Sequence, residues 1–201
     1  MRLCLSDPPP QIADAASYLD AAVTAHLRGR SDLADALIRE ADIPDIYKCL
    51  KPIWADSDVH LRASDSERQQ SLSKELRANA RMPTRAEKTA IHQRDGYNCR
   101  FCSMPVVRPE VRSRMAASYP DALRWGRKEA EQHAAFQAMW AQYDHVLPHA
   151  LGGTNDIENI VLACAACNFG RGCYSLHDVG VADPRMRPIR RYDWDGLERF
   201  R

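Results

Sequence analysis

The stretch QYDHVLPHALGGTNDIENIVLACAACNFGRG, residues 142–172, decides how this chain of 201 residues is read. Residues 143–147 are expected to be extended. Gly152-Gly153 and Asn155-Asp156 are turn residues. Ile160, Val161 and Leu162 form a returning strand, and the CAAC motif turns into a helix from about Ala166 to Leu176. Strand, loop, strand and helix in that order make a ββα unit. Asp144 and His145 lie side by side on the first strand, where neighbouring side chains point to opposite faces. Asn159 follows before the second strand, and Asn168 on the helix. Hydrolysis of a phosphodiester needs a water nucleophile, a base to take its proton and a cation to neutralise developing charge. A neutral imidazole suits the base, a carboxylate suits a hard cation, and an amide oxygen can fix an imidazole tautomer or add a ligand. Asp-His alone would favour a satisfied structural histidine. The two glycines, two asparagines and neighbouring cysteines shift the balance.

Those cysteines belong to a larger pattern. Cys99/Cys102 and Cys164/Cys167 are two Cys-x-x-Cys turns, with Cys102 and Cys164 lying 62 positions apart. Each turn offers two thiolates, and two turns close a tetrahedral zinc site. The segment between them must then project outward. A redox-active dithiol needs only one such pair, which leaves the second unexplained. Cys4, Cys49 and Cys173 remain, and read as small, partly buried apolar residues.

Outside this core the chain reads as helical. Ile12, Ala16, Leu19, Val23 and Leu27 keep helical spacing, Gly29 stops that helix, and a second follows with Leu33, Leu37, Ile38 and Ala41. Pro44 is expected to break the pattern before a short apolar element, Ile46 to Trp54, and a further helix is expected over residues 67–80 with Leu72 and Leu76 inward. Thr84 and Glu87 match a capping box, and that helix should end near Asp95-Gly96. In the insertion, Pro109 opens one helix. Phe136, Met139, Trp140 and Tyr143 are spaced for another. Three units follow: a helical region over 1–83, a core over 84–178 with a helical insertion over 103–142, and a tail over 179–201. The fold class is α+β, mostly helical.

Net charge is +1, divided as −2 over residues 1–83 and +3 over the rest. Residues 84–114 carry seven basic and three acidic side chains, a local basic face rather than a cationic domain. Arg94, Arg100 and Arg108 are candidate phosphate contacts, and His92 a lesser one. No apolar run approaches the roughly 18 residues of a membrane span. The N-terminal MRLCLSDPPPQ is interrupted too early for a signal peptide, so a cytoplasmic location is expected.

In RDGYNCRFC (94–102), DHVLPHALGGTNDIENIVLAC (144–164) and CNFGR (167–171), the chain resembles the HNH (ββα-metal) endonuclease family, in its subgroup with four zinc-binding cysteines. The resemblance implies that His145 is the general base and that Asn159 orients it. It implies that Asp144 and Asn168 hold a catalytic divalent cation, magnesium or another. It also implies a separate structural zinc on Cys99, Cys102, Cys164 and Cys167, and an Arg171 that approaches a DNA phosphate. The implied reaction leaves a 5′-phosphate and a 3′-hydroxyl. Gly172 stands where some members place a further histidine, and the insertion exceeds the compact family pattern. DNA is the expected partner, with a protein partner possible through the N-terminal helices or the insertion. A role in defence against phage or foreign DNA fits a nuclease that must be kept from host DNA. The alternative is a non-catalytic zinc-stapled module that binds nucleic acid or protein.

Overall fold

The computed structural model describes residues 2–4, 7–55, 70–77, 82–189 and 193–201. At its centre, β1 (Ala141–His145) pairs antiparallel with β2 (Ile160–Cys164), Ala141 opposite Cys164 and His145 opposite Ile160. Every residue of β2 is buried, which is why its sequence is a continuous apolar run. α4 (Arg85–Asp95) packs on one side of this hairpin and α7 (Ala165–Arg171) follows β2 directly.

The chemistry at the ends of α4 is as the sequence reads. The Thr84 hydroxyl accepts from the Glu87 backbone N–H at 3.3 Å, and the Thr84 N–H donates to the Glu87 carboxylate at 2.7 Å. This reciprocal pair satisfies two N–H groups that the first turn leaves free. Gly96, at φ +73°, ends the helix and turns the chain into the first cysteine knuckle. There the Arg100 N–H donates to the Leu162 carbonyl at 2.8 Å, tying the knuckle to β2.

The N-terminal helices are α1 (Gln11–Leu27), α2 (Ser31–Glu40) and α3 (Pro44–Ala55), with Gly29 at φ +71° turning α1 into α2. Pro44 begins α3 rather than breaking the pattern, because a first-turn residue needs no N–H partner. Of the helix expected over 67–80, positions 67–69 and 78–80 lie outside the described residues. Within them Lys74–Leu76 forms one 3-10 turn, and Leu76 is 71% exposed rather than inward.

The insertion contributes α5 (Pro109–Ser118) and α6 (Ala134–Ala138). The helix expected to run through Trp140 and Tyr143 stops at Ala138. Trp140 bridges to Val107, and Tyr143 lies in β1. Strand pairing overrides helical spacing there, although Phe136 and Met139 are core as expected. The insertion is also bound to α2. His133 Nε2 meets the Ile38 carbonyl at 2.8 Å, and the Ala134 N–H donates to Asp42 at 2.7 Å.

The tail covers the core. Trp194 Nε1 donates to the Val106 carbonyl at 3.1 Å, Arg199 pairs with Asp20 of α1, and buried Phe200 stacks on His26 at 4.3 Å. Buried side chains from α1, α2, α3, the insertion, the ββα unit and the tail form one continuous cluster. Among the described residues, no helix is long and apolar enough to cross a membrane.

Candidate active site and metal centre

The thiols of Cys99, Cys102, Cys164 and Cys167 lie within 4.8 Å of one another, brought together across the insertion. Tetrahedral zinc with bonds of about 2.3 Å sets its sulfurs roughly 3.8 Å apart. The Cys102 and Cys164 sulfurs lie 3.7 Å apart, so the donor set fits such an ion. Cys164 also caps α7, its sulfur accepting from the Cys167 N–H at 3.5 Å. Of the other three cysteines only Cys4 is half-buried. Cys49 and Cys173 are exposed, against the expectation of partial burial.

His145 ends β1 and is half-buried. Its Nε2 lies 3.2 Å from the Asn155 side-chain oxygen. An amide oxygen only accepts, so the contact suits the tautomer with its proton on Nε2, which has its lone pair on Nδ1. Asn159, expected to orient His145, does something else. Its oxygen accepts from the Leu147 N–H at 2.8 Å, while its amide nitrogen donates to the carbonyls of Leu147 at 3.1 Å and Thr154 at 2.9 Å. One side chain thus clamps both ends of the loop behind His145, and Asn155 is the imidazole's partner. No sequence signal separates Asn155 from other turn asparagines.

The two glycines of that loop have separate reasons. Gly152 sits at φ +94°, a backbone that side chains disfavour. A Cβ on Gly153 would lie 1.8 Å from the Leu147 carbonyl oxygen, so only glycine allows the loop to close this tightly.

Asp144 and Arg171 depart furthest from expectation. Arg171 is 2% exposed and faces inward rather than toward a phosphate. Its Nε donates to one Asp144 oxygen at 3.0 Å, and its Nη2 to the other. Nη2 also reaches the His145 carbonyl at 2.5 Å, and Nη1 the Tyr174 carbonyl at 2.9 Å. Burial pushes the Asp144 carboxyl up from its usual range, and the Arg171 charge opposes that rise. A hydrated divalent cation does not fit at this carboxylate: both oxygens serve Arg171 and the side chain is buried. Asn168, the other expected ligand, sits partly exposed on α7 directly after Cys167.

The remaining expected DNA contacts are also structural. Arg94 grips both oxygens of Asp95 at 2.7 Å and donates to the Ile157 and Ile160 carbonyls at 2.6 Å. Arg100 is buried and holds the tail through the Pro184 and Arg187 carbonyls at 2.8 and 2.6 Å. Arg108 is engaged by both oxygens of Glu198. His92 is buried against Tyr97, with Nε2 at 3.1 Å from the Tyr143 hydroxyl. Burial, helped by the charge of Arg108, lowers its pKa to about 4. A guanidinium with several donors satisfies buried carbonyls as readily as phosphates, so residue type alone did not distinguish the two uses.

Residues 134–173 match the family model described as HNH endonuclease. Over that segment the chain is similar to HNH endonucleases. The match spans α6, both strands, the His145 loop and α7, and so includes Asp144, His145, Asn159, Asn168 and the second cysteine pair. Neither a curated protein nor a solved structure matches the chain. An HNH domain implies nucleic-acid binding, and the four-cysteine cluster could hold a metal ion.

Proposed function

We propose that the HNH domain is an active DNA endonuclease with His145 as its general base and zinc on Cys99, Cys102, Cys164 and Cys167. The observation that carries this reading is the placement of His145, whose backbone and ring are both held while one ring nitrogen keeps its lone pair. Water gives a proton to Nδ1 of His145 as its oxygen bonds to phosphorus. The bond from phosphorus to the 3′ oxygen breaks, and that oxygen takes a proton from solvent. The products are a 5′-phosphate and a 3′-hydroxyl. Zinc when bound supplies rigidity, fixing the knuckles at the far end of the hairpin. Asn159 and Gly153 keep the loop shut behind the imidazole.

Family resemblance also calls for a catalytic divalent cation, magnesium or another, and Asp144 does not fit it while Arg171 holds both oxygens. Asn168 remains as an open donor on α7. The testing assay is therefore run with and without added magnesium. Wild type is expected to nick plasmid DNA, and His145→Ala to be slower by roughly 10²–10⁴ with unchanged thermal stability. Zinc-loaded wild type that never nicks DNA under any cation would sink the proposal. It would favour the non-catalytic zinc-stapled module, a reading that draws on the closure of Asp144. We place the biological use in defence against phage or foreign DNA, since a nuclease of this kind must be kept from host DNA. Equal cleavage of modified host DNA and unmodified phage DNA would count against that placement.

A further inference from the structure

Of the seven basic residues between 84 and 114, the fold consumes several. Arg94 and Arg100 serve carbonyls and Asp95, and the Arg112 guanidinium carbon sits 3.6 Å from the centre of a Trp125 ring. What remains converges. Arg85 and Lys88 of α4, Arg108, and Arg114 of α5 line one cavity of about 350 Å³ together with Glu110. Two carboxylates belong to it. Glu110 lines it directly, while Glu198 fixes Arg108 and lies 4.0 Å from Arg114. Four cations against two anions leave a local excess of two positive charges in a chain whose total is only +1. Among the described residues, no carboxylate pairs with Arg85 or Lys88.

The position of this cavity matters as much as its charge. The Lys88 ammonium lies 5.3 Å from the centre of the Tyr143 ring, and the Tyr143 phenol feels the charges of Glu110 and Arg108. Tyr143 precedes His145 by two positions on β1, so both project from the same face, about 7 Å apart along the strand. Successive phosphates of one DNA strand advance by about 3.4 Å along the duplex axis. A strand with one phosphate at His145 therefore passes the cavity within a few nucleotides.

We infer that the cavity between α4 and α5 is a backbone-phosphate subsite, which holds the nucleic-acid strand whose neighbouring phosphate is presented to His145. This rests on the nuclease reading, and it assigns DNA contact to Arg85, Lys88 and Arg114 in place of Arg94, Arg100 and Arg171. Arg108 spends its fork on both oxygens of Glu198, so it contributes charge to the cavity wall rather than a phosphate contact.

The test uses the full zinc-loaded chain with His145→Ala, so that binding is read without cleavage. Fluorescence anisotropy follows a labelled duplex of about 20 base pairs over a range of salt. Arg85→Gln with Lys88→Gln should weaken binding equally for unrelated sequences and reduce the log K against log salt slope by about one to two. Glu110→Gln should tighten binding. Arg28→Gln with Arg30→Gln, which removes the same charge from the exposed α1–α2 turn, should leave the slope unchanged. An unchanged slope in the Arg85/Lys88 pair, or an equal loss in both pairs, overturns the subsite. Plasmid cleavage by the His145-containing chain separates the two readings: cleavage with an unchanged slope defeats the subsite alone, whereas neither binding nor cleavage defeats both.

Discussion

The two ends of the β hairpin are held by opposite means. Where Ala141 faces Cys164, four thiols from two distant knuckles converge in a cluster that could hold an ion from outside the chain. Where His145 faces Ile160, the chain closes on itself through one asparagine side chain, one glycine that admits no Cβ and one buried arginine. The first end is buried at three of its four cysteines and suits a permanent staple. The second keeps an imidazole half-exposed on a fixed backbone, which is what a reacting group requires. Rigidity at the stapled end should therefore govern whether the domain folds, and rigidity at the loop end whether it works.

The largest test of that contrast is removal of the ion. Structural zinc sites contribute on the order of 10 kcal/mol, comparable to the whole stability of a domain. Chelation is expected to abolish the cooperative unfolding transition seen by circular dichroism, and re-added zinc to restore it. A chelated chain that keeps its transition would mean the thiols hold the hairpin without metal. Next comes Asp144→Ala, which strands the Arg171 charge in the interior and should cost about 3–5 kcal/mol. Adding Arg171→Met should recover most of that loss in denaturant titrations, because it removes the orphaned charge. Failure to recover would show that Asp144 supports something besides Arg171.

On the other face of the hairpin, His92 adds a pH dependence. Its folded pKa of about 4 lies below the ordinary 6.5, so the unfolded chain binds the proton more readily. The contribution is whole above pH 6.5 and is lost as pH falls from 6.5 towards 4, on the order of 3 kcal/mol. Unfolding curves of His92→Phe should lose that slope, though the variant is less stable overall because the Tyr143 hydroxyl loses its partner. The smallest effect on stability belongs to Asn159→Ala, about 2 kcal/mol for three hydrogen bonds at a partly exposed site. Its cleavage rate should fall far more than its stability. Parallel losses in both would remove the distinction between the two ends.

Reading the sequence succeeded where spacing is local. The capping box of α4, the ββα order and the two cysteine turns all depend on residues a few positions apart. It failed where a side chain chooses among distant partners. Arg171 meets Asp144 across 27 positions, and Arg100 meets the tail across 84 to 88. Nothing near either arginine in the chain announces a carbonyl or carboxylate waiting inside. The exchange between Asn155 and Asn159 has a similar cause: both are turn residues of the same type, and only the closed loop decides which one reaches the imidazole. At Trp140 and Tyr143, helical spacing was present, but pairing with Val107 and Leu162 took precedence.

The insertion leaves the core at Val107 and returns beside it, with the Val107 N–H on the Met139 carbonyl at 2.7 Å and the Ala141 N–H on the Val107 carbonyl at 3.0 Å. A segment whose entry and exit are neighbours could in principle be cut out and the gap joined by a tight turn. Here the graft would fail unless α2 and α3 left with it. His133 bonds to Ile38 of α2, Ala134 to Asp42 just beyond that helix, and α3 packs on α6. The N-terminal helices and the insertion therefore travel as one cassette. Transplanting either alone between HNH scaffolds would carry an open apolar face into its new host.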